Sequence, residues 1–148
     1  MLRVQQNATS VNDTFVTVQC HGYEKQRKAE LRVMTIQECY KQMGADYEDV
    51  LKRLYSESMI RKFARMFLND DSYPKLERSL KEENIEEACR AAHTLKGVCQ
   101  NLGFTNLYQP TYELTEVLRA GTLKGAKEWF DRVTEQYNIT IESIRAVQ

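Results

Sequence analysis

The sequence predicts an all-α protein, an antiparallel four-helix bundle preceded by short N-terminal lead-in helices. Three observations predict it. From Thr35 onward, residues that start and stop helices recur at helical spacings. Between them, apolar residues repeat with the 3.6-residue period of an amphipathic helix. The connections are short and no convincing strand pattern interrupts them, which suits helices that pack on their neighbours in sequence. At 148 residues with 42% hydrophobic content, the chain fits one domain with a core of its own.

Residues 1–33 stand apart, because they lack a sustained helical period and only residues 14–18, TFVTV, hint at extended structure. The expected organisation is therefore an irregular or flexible N-terminal extension over 1–33 and the helical bundle over 34–148. The run RKAELRVM consists partly of residues with purine-rich codons, as a ribosome-binding site read in frame would. An assigned start upstream of the true one is one expectation, and a genuine tail is the other.

The elements follow in order. Thr35 with Glu38 fits a capping box that opens a short helix stopping at Gly44, and Asp46 caps the next, YEDVLKRLY. Met59, Phe63, Met66 and Phe67 give an apolar face to a helix ending near Asn69. Ser72 and Pro74 start another that continues through Leu76 and Leu80. Asn84 caps a helix over residues 85–102, with Gly103 as its C-terminal stop. A helix over about 105–120 comes next, with Pro110 early enough to be tolerated or to kink it. Gly121 marks the turn to a last helix over 122–147. The aromatic residues Phe63, Phe67, Tyr73, Phe104, Trp129, Phe130 and Tyr137 recur at roughly helical spacings and read as core.

Charge and cysteine content exclude several functions. Lysine plus arginine equals aspartate plus glutamate at 21 each, so the basic surplus that nucleic-acid binding draws on is missing. Cys20, Cys39, Cys89 and Cys99 show no CxxC spacing, and neither a signal-peptide pattern nor a long apolar run accompanies them. They read as reduced thiols of a cytoplasmic protein that has no membrane span. The Asn-x-Thr triplets at Asn7, Asn12 and Asn138 would matter only after secretion. The acidic run KEENIEE suits the start of a helix, where carboxylates are favoured.

The stretch AAHTLKGVCQNLG carries the chemistry. At about 100° per residue, Ala88, Ala91, Ala92, Leu95, Val98, Cys99 and Leu102 share one arc, and His93 lies opposite its centre. His93 therefore points away from the core, on a face with Glu86, Cys89, Arg90, Lys96, Gly97 and Gln100. An ordinary solvated histidine is the plain alternative, and Gly97 argues against it. Glycine inside a helix costs about 1 kcal/mol relative to alanine, so a compensating reason is needed one turn after His93. Without a side chain there, the imidazole is open to something large. Lys96, one turn from His93, is close enough to reach a group attached to the ring. An exposed imidazole, a nearby cation and a cleared approach suit a nucleophile that accepts a phosphoryl group from another macromolecule.

The residues His93, Lys96, Gly97 and Gly103 resemble the phosphoacceptor signature of the histidine-containing phosphotransfer (HPt) domains, H-x-x-K-G with a further glycine six residues on. The resemblance extends from about Thr35 to the C-terminus and implies the same four-helix architecture. It implies that His93 accepts a phosphoryl group from a receiver-domain aspartate and passes it to another receiver, with Lys96 stabilising phosphoryl charge. The receiver would dock on the face bearing Glu86, Arg90, Gly97 and Gln100. Response-regulator receivers and a hybrid histidine kinase are the implied partners of a monomeric phosphocarrier without kinase activity of its own. No cofactor is expected on this chain, and Mg²⁺ belongs to the partner receiver.

The chain departs from the family pattern about 22 residues after the phosphoacceptor. Several members carry a ring-orienting glutamine there, whereas this sequence has Thr115, flanked by Glu113 and Glu116. Gln100, two turns after His93, is the other candidate for that role, and the choice stays open. The chemotaxis kinases have a second histidine on the next helix, which is not found here. Cys89 and His93 could begin a zinc site, but Cys99 faces the core and His21 lies in the irregular segment. Acid–base catalysis by His93 with Glu86 lacks a second partner. The alternative reading is a helical adaptor that docks receivers or other signalling proteins without carrying phosphate.

Overall fold

The computed structural model describes residues 33–147. Residues 14–18, Asn7, Asn12, Cys20 and His21 lie outside them. All of the described residues but Val33 belong to one compact unit, Met34–Gln148. Among them the protein is all-helical, with seven α-helices and a single isolated bridge between Met34 and Val147. The helices are α1 (Ile36–Gln42), α2 (Tyr47–Leu54), α3 (Glu57–Phe67), α4 (Ser72–Lys81), α5 (Ile85–Leu102), α6 (Thr105–Arg119) and α7 (Ala126–Arg145).

Local chemistry explains most of the boundaries. The capping box at α1 forms as expected, with the Glu38 amide donating to Thr35 Oγ1 at 3.1 Å and the Thr35 amide donating to Glu38 Oε2 at 3.0 Å. Asp46 caps α2 by accepting the Asp49 amide at 3.0 Å. Gly103 ends α5 in the left-handed conformation at φ 66°. The last helix starts later than residue 122, because Gly121 and Gly125 adopt φ 75° and 81° and hold the intervening residues in a turn. Pro110 lies in the second turn of α6, and the helix runs through it.

The most extensive packing joins α5 to α4 and α6, and α6 to α7. The core interface of α5 is built largely of small residues, with Ala88, Ala91, Ala92, Leu95, Cys99 and Leu102 all buried, which lets its neighbours approach closely. Val98, placed on the same arc by the sequence, is only half-buried. On α3 the expectation was partly wrong. Its buried stripe is Ile60, Ala64 and Phe67, while Met59 and Met66 are 37% and 56% exposed. Residues 60, 64 and 67 share one face at i, i+4 and i+7, and the methionines only flank it. Of the aromatics read as core, Phe67 and Phe104 are fully buried, and Phe63, Tyr73, Trp129, Phe130 and Tyr137 are half-buried against it.

Buried threonine hydroxyls are satisfied within their own helices, while the buried Ser143 hydroxyl finds no partner among the described residues. Thr111 and Thr115 donate to the Leu107 and Thr111 carbonyls at 2.7 Å, and Thr140 donates to Gln136 at 2.8 Å.

The lead-in helices close the C-terminal end of α5. The last carbonyls of a helix lack intrahelical partners, and α5 has no basic residue in its last turn to meet them. The Tyr40 hydroxyl of α1 donates to the Leu102 carbonyl at 2.9 Å. Arg53 of α2 donates to the Gln100 carbonyl at 3.1 Å, bringing a cation to the negative end of the helix dipole. The Asp46 amide donates to the Gly103 carbonyl at 2.8 Å.

Candidate functional site

The site is carried by α5, whose start and stop are both set locally. Asn84 Oδ1 accepts the Glu87 amide at 3.2 Å, and Glu86 and Glu87 lie in the first turn, where carboxylates favour the positive end of the dipole. Between these ends His93 is exposed, on the side away from buried Ala88, Ala91, Ala92 and Leu95. It lines an open cleft of about 660 Å³ with Glu86, Cys89 and Arg90 of α5 and Arg119 of α6.

Arg90 and Arg119, which line this cleft, and Lys96, one turn after His93 on α5, differ in what already engages them. Arg90 is paired with Glu86 at 2.5 Å and with Glu87 at 2.8 Å. Arg119 is paired with Glu116 at 2.7 Å. Lys96 has no carboxylate partner among the described residues and lies half-buried, with its ammonium 5.4 Å from the centre of the Tyr112 ring on α6. Lys96 is thus the cation of this face whose charge is not already offset.

Beyond its chain neighbours and its own helix backbone, no atom of the described residues lies within 4 Å of the place a Gly97 Cβ would occupy. Its missing side chain serves no helix contact, and the surface beside His93 is clear. Gln100 is exposed further along the same helix.

No hydrogen bond among the described residues reaches the His93 ring. Thr115, at the position where a ring-orienting glutamine would stand, is fully buried and gives its hydroxyl to Thr111. Glu113 accepts from Gln109 at 3.3 Å, and Glu116 is engaged with Arg119. Neither Thr115 nor Gln100 bonds the ring. Cys89 is half-buried one turn before His93, and among the described residues no three His, Cys, Asp or Glu side chains gather around a common point.

Two site neighbours escaped the sequence reading, Tyr112 under the Lys96 ammonium and Arg119 across the cleft. A single-helix wheel says nothing of what the next helix presents. The usable signal is the turn: Lys96 and Tyr112 each stand eight residues from Phe104, where the chain reverses between α5 and α6.

The family model of the Hpt domain matches residues 68–146, more than half of the chain. The chain belongs to the Hpt family. No curated protein and no solved structure matches it. Hpt domains are phosphocarriers of two-component phosphorelays, acting through a phosphorylated histidine with receiver domains and histidine kinases as partners. The Hpt match begins directly after α3 and takes in α4 to α7, so His93, Lys96 and Gly97 all fall within it. Among the described residues, no helix of this Hpt protein is long and apolar enough to cross a membrane.

Proposed function

We propose that this Hpt protein is a phosphorelay intermediate in which His93 takes a phosphoryl group from the phosphoaspartate of one receiver domain and hands it to the aspartate of another. The observation that carries the reading is the setting of His93. It is exposed on a well-packed helix, beside a lysine without a carboxylate partner among the described residues and a glycine whose side-chain space none of them fills. In this reading α4 to α7 form an antiparallel four-helix bundle, and the earlier helices are the lead-in.

The neutral imidazole attacks phosphorus through its unprotonated nitrogen. The N–P bond forms as the acyl O–P bond breaks, and the aspartate leaves as a carboxylate with the electron pair. Lys96 offsets charge on the phosphoryl oxygens, where positioning and electrostatics supply most of the catalysis. Glu86, Arg90, Gly97 and Gln100 form the docking face for the receiver. Mg²⁺ sits on the receiver, and this chain contributes no nucleotide site and no kinase activity. It works as a cytoplasmic monomer between a hybrid histidine kinase and a response regulator.

The test is incubation with a receiver domain phosphorylated on aspartate. Acid-labile, base-stable phosphate on the wild-type chain and none on His93→Gln supports the reading. Receiver binding without phosphate transfer would replace it with an adaptor.

A further inference from the structure

We propose that Tyr112 is a positioning residue that holds the Lys96 ammonium at the junction of α5 and α6, so that a phosphoryl group arriving at His93 meets a cation already in place. The inference rests on the phosphotransfer reading of His93 and adds a residue outside the H-x-x-K-G pattern.

The ammonium lies 5.4 Å from the centre of the Tyr112 ring, inside the range of about 6 Å over which a cation is drawn to an aromatic face. The ring is itself braced. Tyr108, one turn earlier on α6 and packed on the core, has its ring centre 6.1 Å away at an interplanar angle of 31°. Tyr112 is 38% exposed, so part of its surface remains in water, and the contact lies at the protein surface. Lysine carries its charge on a flexible four-carbon stem, and a lysine without a partner spends its time over many rotamers. The carboxylates of α6 that flank this region do not compete for it, because Glu113 is engaged by Gln109 and Glu116 by Arg119.

The chemical nature of the holder matters. A carboxylate at position 112 would also restrain Lys96, but it would cancel the charge that the phosphoryl oxygens need. An aromatic ring attracts the ammonium through its quadrupole and has no net charge. Lys96 is restrained and remains fully positive. The attraction is also weak enough to be surrendered when a phosphoryl group binds, since charge-assisted contacts to phosphate are stronger.

The test uses the full chain and phosphoramidate, a small phosphoryl donor that needs no docking. In the unphosphorylated protein, the Lys96 ε-methylene protons should show a ring-current shift that persists in Tyr112→Phe and disappears in Tyr112→Leu. Formation of phosphohistidine should slow about two- to fivefold in Tyr112→Leu, the range set by an exposed cation–π contact, and should match wild type in Tyr112→Phe. Tyr112→Glu should slow it as well, while keeping Lys96 restrained. In a Lys96→Ala background, Tyr112→Leu should have no further effect, which a merely structural role would not produce. An unchanged or faster rate in Tyr112→Leu, or a Tyr112→Phe variant as slow as Tyr112→Leu, overturns the proposal. Failure of transfer from a phosphorylated receiver, alongside these phosphoramidate results, would overturn the relay reading and leave the role of Tyr112 supported.

Discussion

Gly97 stands one helical turn after His93, and beyond its chain neighbours and its own helix backbone no described residue comes within 4 Å of where its Cβ would stand. The clearing beside the imidazole therefore has a cost in helix propensity and no return in packing. Gly97→Ala should raise stability by about 1 kcal/mol, visible as a higher melting temperature by circular dichroism. Gly97→Gln should keep the bundle at least as stable while lowering affinity for a receiver domain in titration calorimetry. Unfolding of either variant would mean that the glycine serves the helix and not the approach.

Gly103 should behave in the opposite way. Its φ of 66° is unfavourable for any residue with a side chain, by about 1–2 kcal/mol. A methyl group there would also collide with the Val50 side chain and stand 2.8 Å from the Asp46 carbonyl oxygen. Gly103→Ala is expected to destabilise the protein by at least 2 kcal/mol, roughly the strain plus a steric term. Urea denaturation checks it, and a neutral result would show that the turn can move away.

His93→Gln is expected to lose phosphate acceptance with little change in melting temperature. The residue is exposed and makes no hydrogen bond among the described residues, so its replacement falls in the class of surface changes within about 0.5 kcal/mol. A marked loss of helical signal would give His93 a structural role.

Tyr40→Phe removes the hydroxyl that meets the Leu102 carbonyl at 2.9 Å inside the protein. The shape of the core is kept and a buried acceptor loses its donor, at a cost of about 1–2 kcal/mol. The midpoint of urea unfolding should drop accordingly. Phosphate acceptance by phosphoramidate should stay unchanged, because Tyr40 is on a lead-in helix away from His93.

Alkaline pH should weaken the fold. Burial pushes the Cys39 thiol up to about 11 and raises the neighbouring Tyr40 phenol, and Cys99 is raised in the same way. The folded state therefore holds these protons more tightly than the unfolded chain does. Their contribution is complete below the unfolded values of about 8.5 for cysteine and 10 for tyrosine, and it is lost as pH rises through the folded values. Urea unfolding at pH 7, 9 and 10.5 should show stability falling slightly between the first two values and more steeply between pH 9 and 10.5. A flat profile over that range would contradict the burial of these groups.

Helix ends were readable from sequence wherever a cap is local. Thr35 with Glu38, Asp46, Asn84 and Gly103 each act on residues three or four positions away, and all four operate as their types suggest. The outward placement of His93 was readable for a similar reason, since its own helix carries a continuous small and apolar arc opposite. What depended on neighbouring helices was not readable. Met59 and Met66 are as apolar as the residues that α3 buries, and only the packing of α3 on its partners decides against them. The Tyr112 ring is invisible to any pattern confined to α5. So is the closure of α5 by Tyr40 and Arg53, which lie 62 and 47 positions from their acceptors. The late start of α7 combines two glycines whose joint effect a spacing rule for single stops does not capture.

The three donors that the lead-in helices send to the end of α5 bear on how far this domain is modular. The family match begins at residue 68, after α1, α2 and α3 have passed. A fragment cut at that boundary would keep the phosphoacceptor motif and lose Tyr40, Asp46 and Arg53, leaving the Gln100, Leu102 and Gly103 carbonyls without these donors. The sequence that identifies the domain is thus shorter than the compact unit Met34–Gln148, and a portable version of the carrier should begin upstream of Thr35 to keep these donors.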